Sequence, residues 1–203
     1  METKKIALLI GNGGRLKCIH NNLPKNAKVA TVVSFKKESE GINWAKNNGI
    51  ESKYFRISDY KKSGKTREDL EKELAEYLIS KKIDLIVMAG WMLVMSDLFL
   101  KQFPMKVINI HPALNPSFPG TQGVQDAWNY GAKVTGATVH FVPDSGIDSG
   151  PIIAQKSVEI TNEDSFDSLL EKVHQAEEEI LPRAINWFLN DQLVIENRRV
   201  IIK

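Results

Sequence analysis

A chain of 203 residues with 42% hydrophobic and 26% charged residues has the length and balance of one folded domain with a sizeable core. Its 27 Lys and Arg against 25 Asp and Glu leave a net charge of +2, and the basic residues are scattered rather than striped, which argues against a nucleic-acid partner. The one cysteine, Cys18, permits neither an intrachain disulfide nor a thiolate cluster for zinc, as suits a cytoplasmic protein.

The opening METKKIALLIGNGG sets lysines before an apolar run that stops at Ile10 with no small-residue cleavage pattern, so Lys5 to Ile10 is expected to be a first strand and not a signal. Gly11, Asn12, Gly13, Gly14 and Arg15 follow, then helix-compatible sequence from Leu16. Glycines let backbone amides approach an anion, and a helix amino terminus adds donors and a positive dipole end. A glycine-rich turn is equally the ordinary exit from a first strand, and Leu16 stands where a dinucleotide fingerprint has its third glycine. A second strand, Ala27 to Ser34, ends in Phe35, Lys36 and Lys37 with no carboxylate for a ribose hydroxyl, which counts against NAD. Glu38 to Asn48 predicts a helix stopped by Gly49, and Ser52 to Ile57 a third strand.

Thr66 with Asp69 forms a capping box, and Leu70, Leu74, Tyr77 and Leu78 recur on one helical face. Arg67 falls in the first turn, where the helix dipole disfavours a cation; solvent exposure or an acidic ligand are the two reasons for it. Ile83 to Ala89 predicts a fourth strand. After it Gly90, Trp91, Met92, Leu93, Val94 and Met95 stay apolar before Ser96 caps a short helix, so this loop either plugs the core or lines a pocket for a flat apolar ligand. The longest apolar run, Leu85 to Met95, is far below the ~20 residues of a membrane span, and no membrane partner is expected.

Met105 to Ile110 reads as a strand buried on both faces, with Asn109 as its polar intruder. His111 opens NIHPALNPSFPG, where Pro112, Pro116 and Pro119 make an extended, stiff loop. Ligands of open α/β sheets bind beyond the carboxyl ends of strands, which is where Asn109 and His111 sit; a capped loop with a hydrogen-bonded histidine is the plainer alternative. Gly123 to Tyr130 predicts a helix ended by Gly131. Ala137 to Val142 alternates, with Val139 and Phe141 on one face and Thr138, His140 and Val142 on the other, as a half-buried strand does. It leads into Pro143 to Pro151, a loop carrying Asp144 and Asp148. Ile152 to Ile160 predicts another strand. In the long helix Ser165 to Leu189, Pro182 is expected to kink or divide the periodic stripe. His174 and Glu177, three apart beside that stripe, are either a surface pair or two groups aimed at one spot. Leu193 to Ile202 closes with two short strands around Asn197 and Arg198.

GNGG after the first strand, AGWM after the fourth, NIHPALNPSFPG, TVHFV and GIDSGP, in this order over nearly the whole chain, resemble the phosphoribosylglycinamide formyltransferase family. The resemblance implies a single Rossmann-like α/β formyltransferase domain over 1–203, with a mostly parallel central sheet and helices on both faces. Residues 1–100 would form a phosphate-binding half and 101–203 a catalytic and folate-binding half. It implies formyl transfer from 10-formyltetrahydrofolate, as co-substrate and without metal, to the glycinamide amine of a phosphoribosylated acceptor, by a monomer or homodimer. Position by position, it makes Asn109, His111 and Asp148 catalytic. Gly13, Gly14 and Arg15 would hold the substrate phosphate, and His174 and Glu177 the rest of the nucleotide. Met92, Leu93, Val94 and Met95 would line the pterin pocket with Asn109, Asp144, Gly146 and Ile147, and Arg67 would meet the folate's glutamate carboxylate. The chain departs from the family pattern at Gly14, Arg15, Asn115 and Ser117, and in one extra residue before Asp148.

The reaction asks for these residue types in its own right. An amine attacking a formyl carbon creates an oxyanion that needs preorganised donors, which an asparagine amide and a protonated histidine supply. The attacking nitrogen loses a proton and the leaving nitrogen gains one, and a histidine beside a carboxylate handles both near neutral pH. Other readings are an amino-sugar formyltransferase, a formyltetrahydrofolate hydrolase or a methionyl-tRNA formyltransferase, the last two expected to carry a further domain, and a non-catalytic folate- or nucleotide-binding module.

Overall fold

Alternation of buried strands with amphipathic helices builds the first of two units in the computed structural model, which describes residues 2–144 and 146–203. This unit comprises Met1–Ile108 with Pro143–Ser145, and the second comprises Asn109–Val142 with Gly146–Lys203. In the first, β1 (Lys4–Ile10) pairs in parallel with β2 (Ala27–Ser34) on one side and β4 (Leu85–Ala89) on the other. Ile6 to Ile10 are wholly buried, as the continuous apolar run requires of a parallel strand covered on both faces. β3 (Glu51–Tyr54) pairs in parallel with β2 and shows only alternating, partial burial.

The helices of this unit start where side chains satisfy their first amides. Ser39 accepts from the Ile42 N–H at the start of α2 (Glu40–Asn47), and Gly49 beyond its end takes the left-handed conformation with φ +66°. Thr66 and Asp69 close the expected capping box on α4 (Arg67–Ser80), and Ser96 caps α5 (Asp97–Leu100). α1 (Leu16–Asn21) follows the glycine turn without a side-chain cap. One expectation is overturned here: the third strand stops at Tyr54, and Ile57 begins α3 (Ile57–Lys62). That helix buries no residue and has no side-chain cap, so neither periodicity nor a start signal marked it.

β5 (Val107–His111) ends in the second unit. Met105, expected within it, has φ +54° and belongs to the turn before it. The second unit continues with α6 (Gly123–Tyr130), closed by Gly131 at φ +76°, β6 (Val134–Phe141), β7 (Ile152–Glu159), α7 (Phe166–Leu189), β8 (Leu193–Glu196) and β9 (Arg199–Ile202). β6 and β7 run antiparallel, β7 and β9 parallel, and β8 and β9 form a closing hairpin. The chain is therefore α/β, with strands that pair mostly in parallel. Its longest helix, α7, packs its Leu169, Val173, Ile180 and Ile185 stripe against β6 and β7.

Two further expectations change. β6 is not half-buried: from Thr135 to Phe141 every residue is buried, so Thr138 and His140 are enclosed as fully as Val139 and Phe141. Pro182 does not divide α7, which continues through it with Pro182 packed inside between buried Leu181 and Ala184. Tertiary packing there offsets the lost backbone hydrogen bond. No helix among the described residues is long and apolar enough to cross a membrane.

Gly136 shows how closely β6 and β7 approach. A Cβ at this position would lie 2.0 Å from the Lys156 carbonyl oxygen and 2.9 Å from Leu114 Cδ2. The obstacle is backbone, which cannot swing aside. Gly136→Ala is accordingly expected to destabilise the protein by about 3 kcal/mol, read as a drop in thermal midpoint; an unchanged midpoint would show that the two strands yield freely.

Candidate active site

Three side chains expected to act together meet in the second unit. β5 carries Asn109 and, at its carboxyl end, His111; the loop after β6 carries Asp148. The Asn109 amide nitrogen lies 3.3 Å from Asp148 Oδ1, and His111 Nδ1 lies 3.5 Å from Asp148 Oδ2. His111 is 2% exposed and the Asp148 side chain 10%. The proline-ruled loop then folds back to hold them. His111 Nε2 donates to the Phe118 carbonyl at 2.8 Å, and the Gly120 N–H donates to Asp148 Oδ2 at 2.8 Å. Phe118 and Gly120 take positive φ values of +51° and +104°, turning carbonyl and amide toward the imidazole and the carboxylate. The first residue of α6 completes the packing: a Cβ on Gly123 would stand 3.2 Å from His111 Cε1.

This geometry fixes the chemistry of His111. With Nε2–H donated to a backbone carbonyl, Nδ1 is the ring nitrogen left to face the Asp148 carboxylate. A fourth group stands beside them. His140 Nε2 lies 3.5 Å from Asp148 Oδ1 and 3.3 Å from the Asn109 amide nitrogen, while its Nδ1 donates to the Phe141 carbonyl at 2.8 Å. The sequence contained His140 only as one residue on a strand face. Its signal was the one ionisable residue in a β6 run of apolar, glycine and threonine residues, legible once both faces of that strand are known to be buried.

Asp148 is held ionised against its surroundings. Burial pushes its pKa up, but His140, the Gly120 N–H and His111 together outweigh that and leave it below the ordinary carboxylate value. A folded-state pKa below the unfolded one means that the ionised group's contribution to stability is complete above pH ~4 and is lost as pH falls through the lower folded value. The stability difference between the wild type and Asp148→Asn, measured by urea unfolding, is expected to shift against the wild type between pH 7 and pH 3. A difference independent of pH would contradict it.

The remaining expected residues lie elsewhere. In the first unit Gly13 has φ +100°, and a Cβ there would stand 2.6 Å from Gly41 Cα, so the turn after β1 requires glycine at 13 to pass the start of α2. Gly14 has open space around it, and Arg15 is the residue before α1. Arg67 proves to have a structural partner: its Nε donates to Glu71 Oε1 at 2.8 Å, and its guanidinium also bonds the Val94 carbonyl. Glu71, 3% exposed, further accepts from the backbone and hydroxyl of Ser96. A buried carboxylate one turn on therefore explains a cation in the first turn of α4. The Arg67 side chain remains 43% exposed and lines, with Thr66, Glu68, Val94, Met95 and Leu98, a pocket of about 580 Å³. The apolar loop is split in its burial, for Trp91 and Met95 pack inside while Met92 and Val94 are 54% and 41% exposed, with Leu93 between. Asp144, Gly146 and Ile147 are exposed; their neighbour Ser145 lies outside the described residues. On α7, Glu177 is buried and His174 partly so.

An amide donor, an imidazole and a carboxylate assembled at a strand end have the group types that acyl transfer uses, and the chain belongs to the formyl transferase family, whose model matches residues 4–185. Within that family it is similar to phosphoribosylglycinamide formyltransferase of Bacillus subtilis, with 36% identity over 190 residues that make up 92% of this chain and 95% of that protein. The enzyme of that name from Haemophilus influenzae is 34% identical over 96% of this chain and 91% of its own length. Glycinamide ribonucleotide transformylase 1 from Symbiobacterium toebii shares the fold with a TM-score of 0.91 and 35% identity, covering 98% of this chain and 94% of that one.

Proposed function

We propose that this protein transfers the formyl group of 10-formyltetrahydrofolate to the glycinamide amine of 5-phosphoribosylglycinamide, a step of purine biosynthesis, as a cytoplasmic enzyme of small-molecule substrates. The observation that carries the proposal is the meeting of the Asn109 amide, the His111 imidazole and the largely enclosed Asp148 carboxylate, on a chain similar over nearly its full length to enzymes named for that reaction.

The amine nitrogen attacks the formyl carbon, a carbon–nitrogen bond forms, and the carbonyl electrons move to oxygen. Asn109 divides its amide N–H groups between His140 and Asp148 at 3.3 Å, long contacts from which one is redirected to the developing oxyanion. The attacking nitrogen gives its proton to the His111–Asp148 pair on the Nδ1 side of the imidazole, relayed through water. The bond from the formyl carbon to the folate nitrogen then breaks as that nitrogen takes up a proton. Phosphate binding belongs to Gly13, Gly14 and Arg15, with His174 and Glu177 on the remainder of the acceptor. Donor binding belongs to Met92, Leu93, Val94 and Met95 with Asp144, Gly146 and Ile147, and to Arg67 for a carboxylate; the exposure of Met92 and Val94 and the free flank of the Arg67 side chain support this.

Steady-state assays with 10-formyltetrahydrofolate and two amine acceptors, and a third assay without amine, decide the matter. Phosphoribosylglycinamide is expected to be formylated with kcat/KM at least ~10²-fold above a nucleotide-linked amino sugar, since a site built for one set of polar groups leaves them unpaired with another. Formate release at the same rate without any amine would replace this reading with hydrolysis.

A further inference from the structure

Asp148 occupies an exposed-sided loop, has a positive φ of +49°, and still keeps its carboxylate in register with two imidazoles and two amide donors. The carboxylate contacts fix its outer end only. Its main chain is held by a residue that has no part in the chemistry: the Asn115 side-chain amide donates to the Asp148 carbonyl oxygen at 2.8 Å.

Asn115 is itself anchored on both sides. Its backbone N–H donates to Thr138 Oγ1 at 3.1 Å, and its carbonyl accepts from Gln155 Nε2 at 3.1 Å. Thr138 in turn donates to the Ala113 carbonyl at 2.7 Å and accepts from Gln155 at 3.0 Å. Thr138 lies on β6, wholly buried, and Gln155 on β7, so the backbone of Asn115 is hydrogen-bonded to both strands. Asn115 is 8% exposed, and its Oδ1 is buried with no hydrogen-bond partner. A buried acceptor without a partner costs about 1–3 kcal/mol. An apolar side chain of similar size would avoid that cost, so stability is a poor reason for an asparagine here, while the donor on the same amide is used on the Asp148 backbone.

We infer that Asn115 is a positioning residue, which ties the Asp148 loop to β6 and β7 and so sets the distance between the carboxylate and His111 Nδ1. It touches no substrate. The inference rests on the formyl-transfer reading for its kinetic consequence, and on geometry alone for its effect on the loop.

The test uses the full-length protein, the variants Asn115→Leu and the isosteric Asn115→Asp, and two readouts. In the transfer assay kcat is expected to fall about 10- to 30-fold in both variants, since a displacement of about 1 Å in a catalytic group has effects of that order or larger. KM for both substrates is expected to stay within about threefold, and the pH dependence of kcat to shift because the partner of His111 is displaced. In amide hydrogen exchange, residues 146–150 are expected to exchange about tenfold faster while β6 and β7 keep their protection. Unchanged kcat and pH profile with unchanged loop exchange in a folded variant would overturn the inference. A purely structural role would instead lower the thermal midpoint and leave the pH profile of the folded fraction as it was, which also overturns it. Should the wild type fail to transfer formyl groups, the formyl-transfer reading falls and the exchange measurement alone decides: faster loop exchange upholds the tether, and unaltered exchange removes it. If Asn115→Leu does not fold, Asn115→Asp carries both measurements.

Discussion

His111→Ala is expected to lower kcat for formyl transfer by about 10³-fold, with KM for either substrate changed severalfold at most. The imidazole is buried, its Nε2–H is fixed on the Phe118 carbonyl, and its Nδ1 faces the carboxylate, which is the geometry the proposed role of proton carrier requires. Removing it takes away general acid–base help in both halves of the reaction. The loss corresponds to about 4 kcal/mol of transition-state stabilisation, at 1.36 kcal/mol per factor of ten. Stopped assays of formylated product with saturating donor and acceptor measure it directly. A loss below tenfold would mean that proton movement does not pass through this ring.

Asp148→Asn is the second large effect, expected at about 10²- to 10³-fold in kcat. The substitution preserves shape, and an amide oxygen still accepts the Gly120 N–H, so the loop is expected to keep its place. What disappears is the negative charge that faces His111 Nδ1 and His140 Nε2, each at 3.5 Å. The charged form of His111 loses its stabilising partner, and the proton no longer has an acceptor beside the ring. The pH profile separates this loss from a binding defect: the variant's kcat should lose the pH dependence that the pair confers, while ligand affinities at pH 7 stay near those of the wild type. Strongly weakened binding with kcat preserved would assign Asp148 to substrate contact instead.

Much of this was legible in the sequence because the signals were local. β2, Ala27–Ser34, and α6, Gly123–Tyr130, were bounded by turn residues and came out at those limits. The capping box at Thr66 needs only side chains three residues apart. Asn109 and His111 stood out as polar groups at the end of an apolar strand, and Asp148 entered through a resemblance spread across the chain. What stayed hidden depends on partners far away in sequence. Arg67 reads as exposed or as facing an acidic ligand, and its bond to the buried carboxylate of Glu71, which also accepts from Ser96, was not visible. β6 alternates like a half-exposed strand, yet Thr138 and His140 are enclosed because their hydroxyl and ring find partners in the loop after β5 and at Asp148. Asn115 resembles any turn asparagine, and its contact with the Asp148 backbone spans 33 residues. Pro182 breaks a local rule that packing against β6 and β7 overrides.

The candidate residues fall in both units. Asn109, His111, His140 and Asp148 all belong to the second unit, where β5, β6 and the two loops beyond them share one hydrogen-bonded network. The glycine turn, Arg67 and the apolar loop after β4 belong to the first. Substitutions in that first unit are expected to act on substrate affinity, and those in the network on the rate of the chemical step.

A single-turnover experiment with donor carrying a ¹³C-labelled formyl group, followed by NMR, reaches the central claim directly. With excess wild-type protein and phosphoribosylglycinamide, the label should appear on the glycinamide nitrogen as donor is consumed, and in His111→Ala it should stay on the folate although both ligands remain bound. Label that appears as formate, or transfer by His111→Ala at the wild-type rate, would contradict the account.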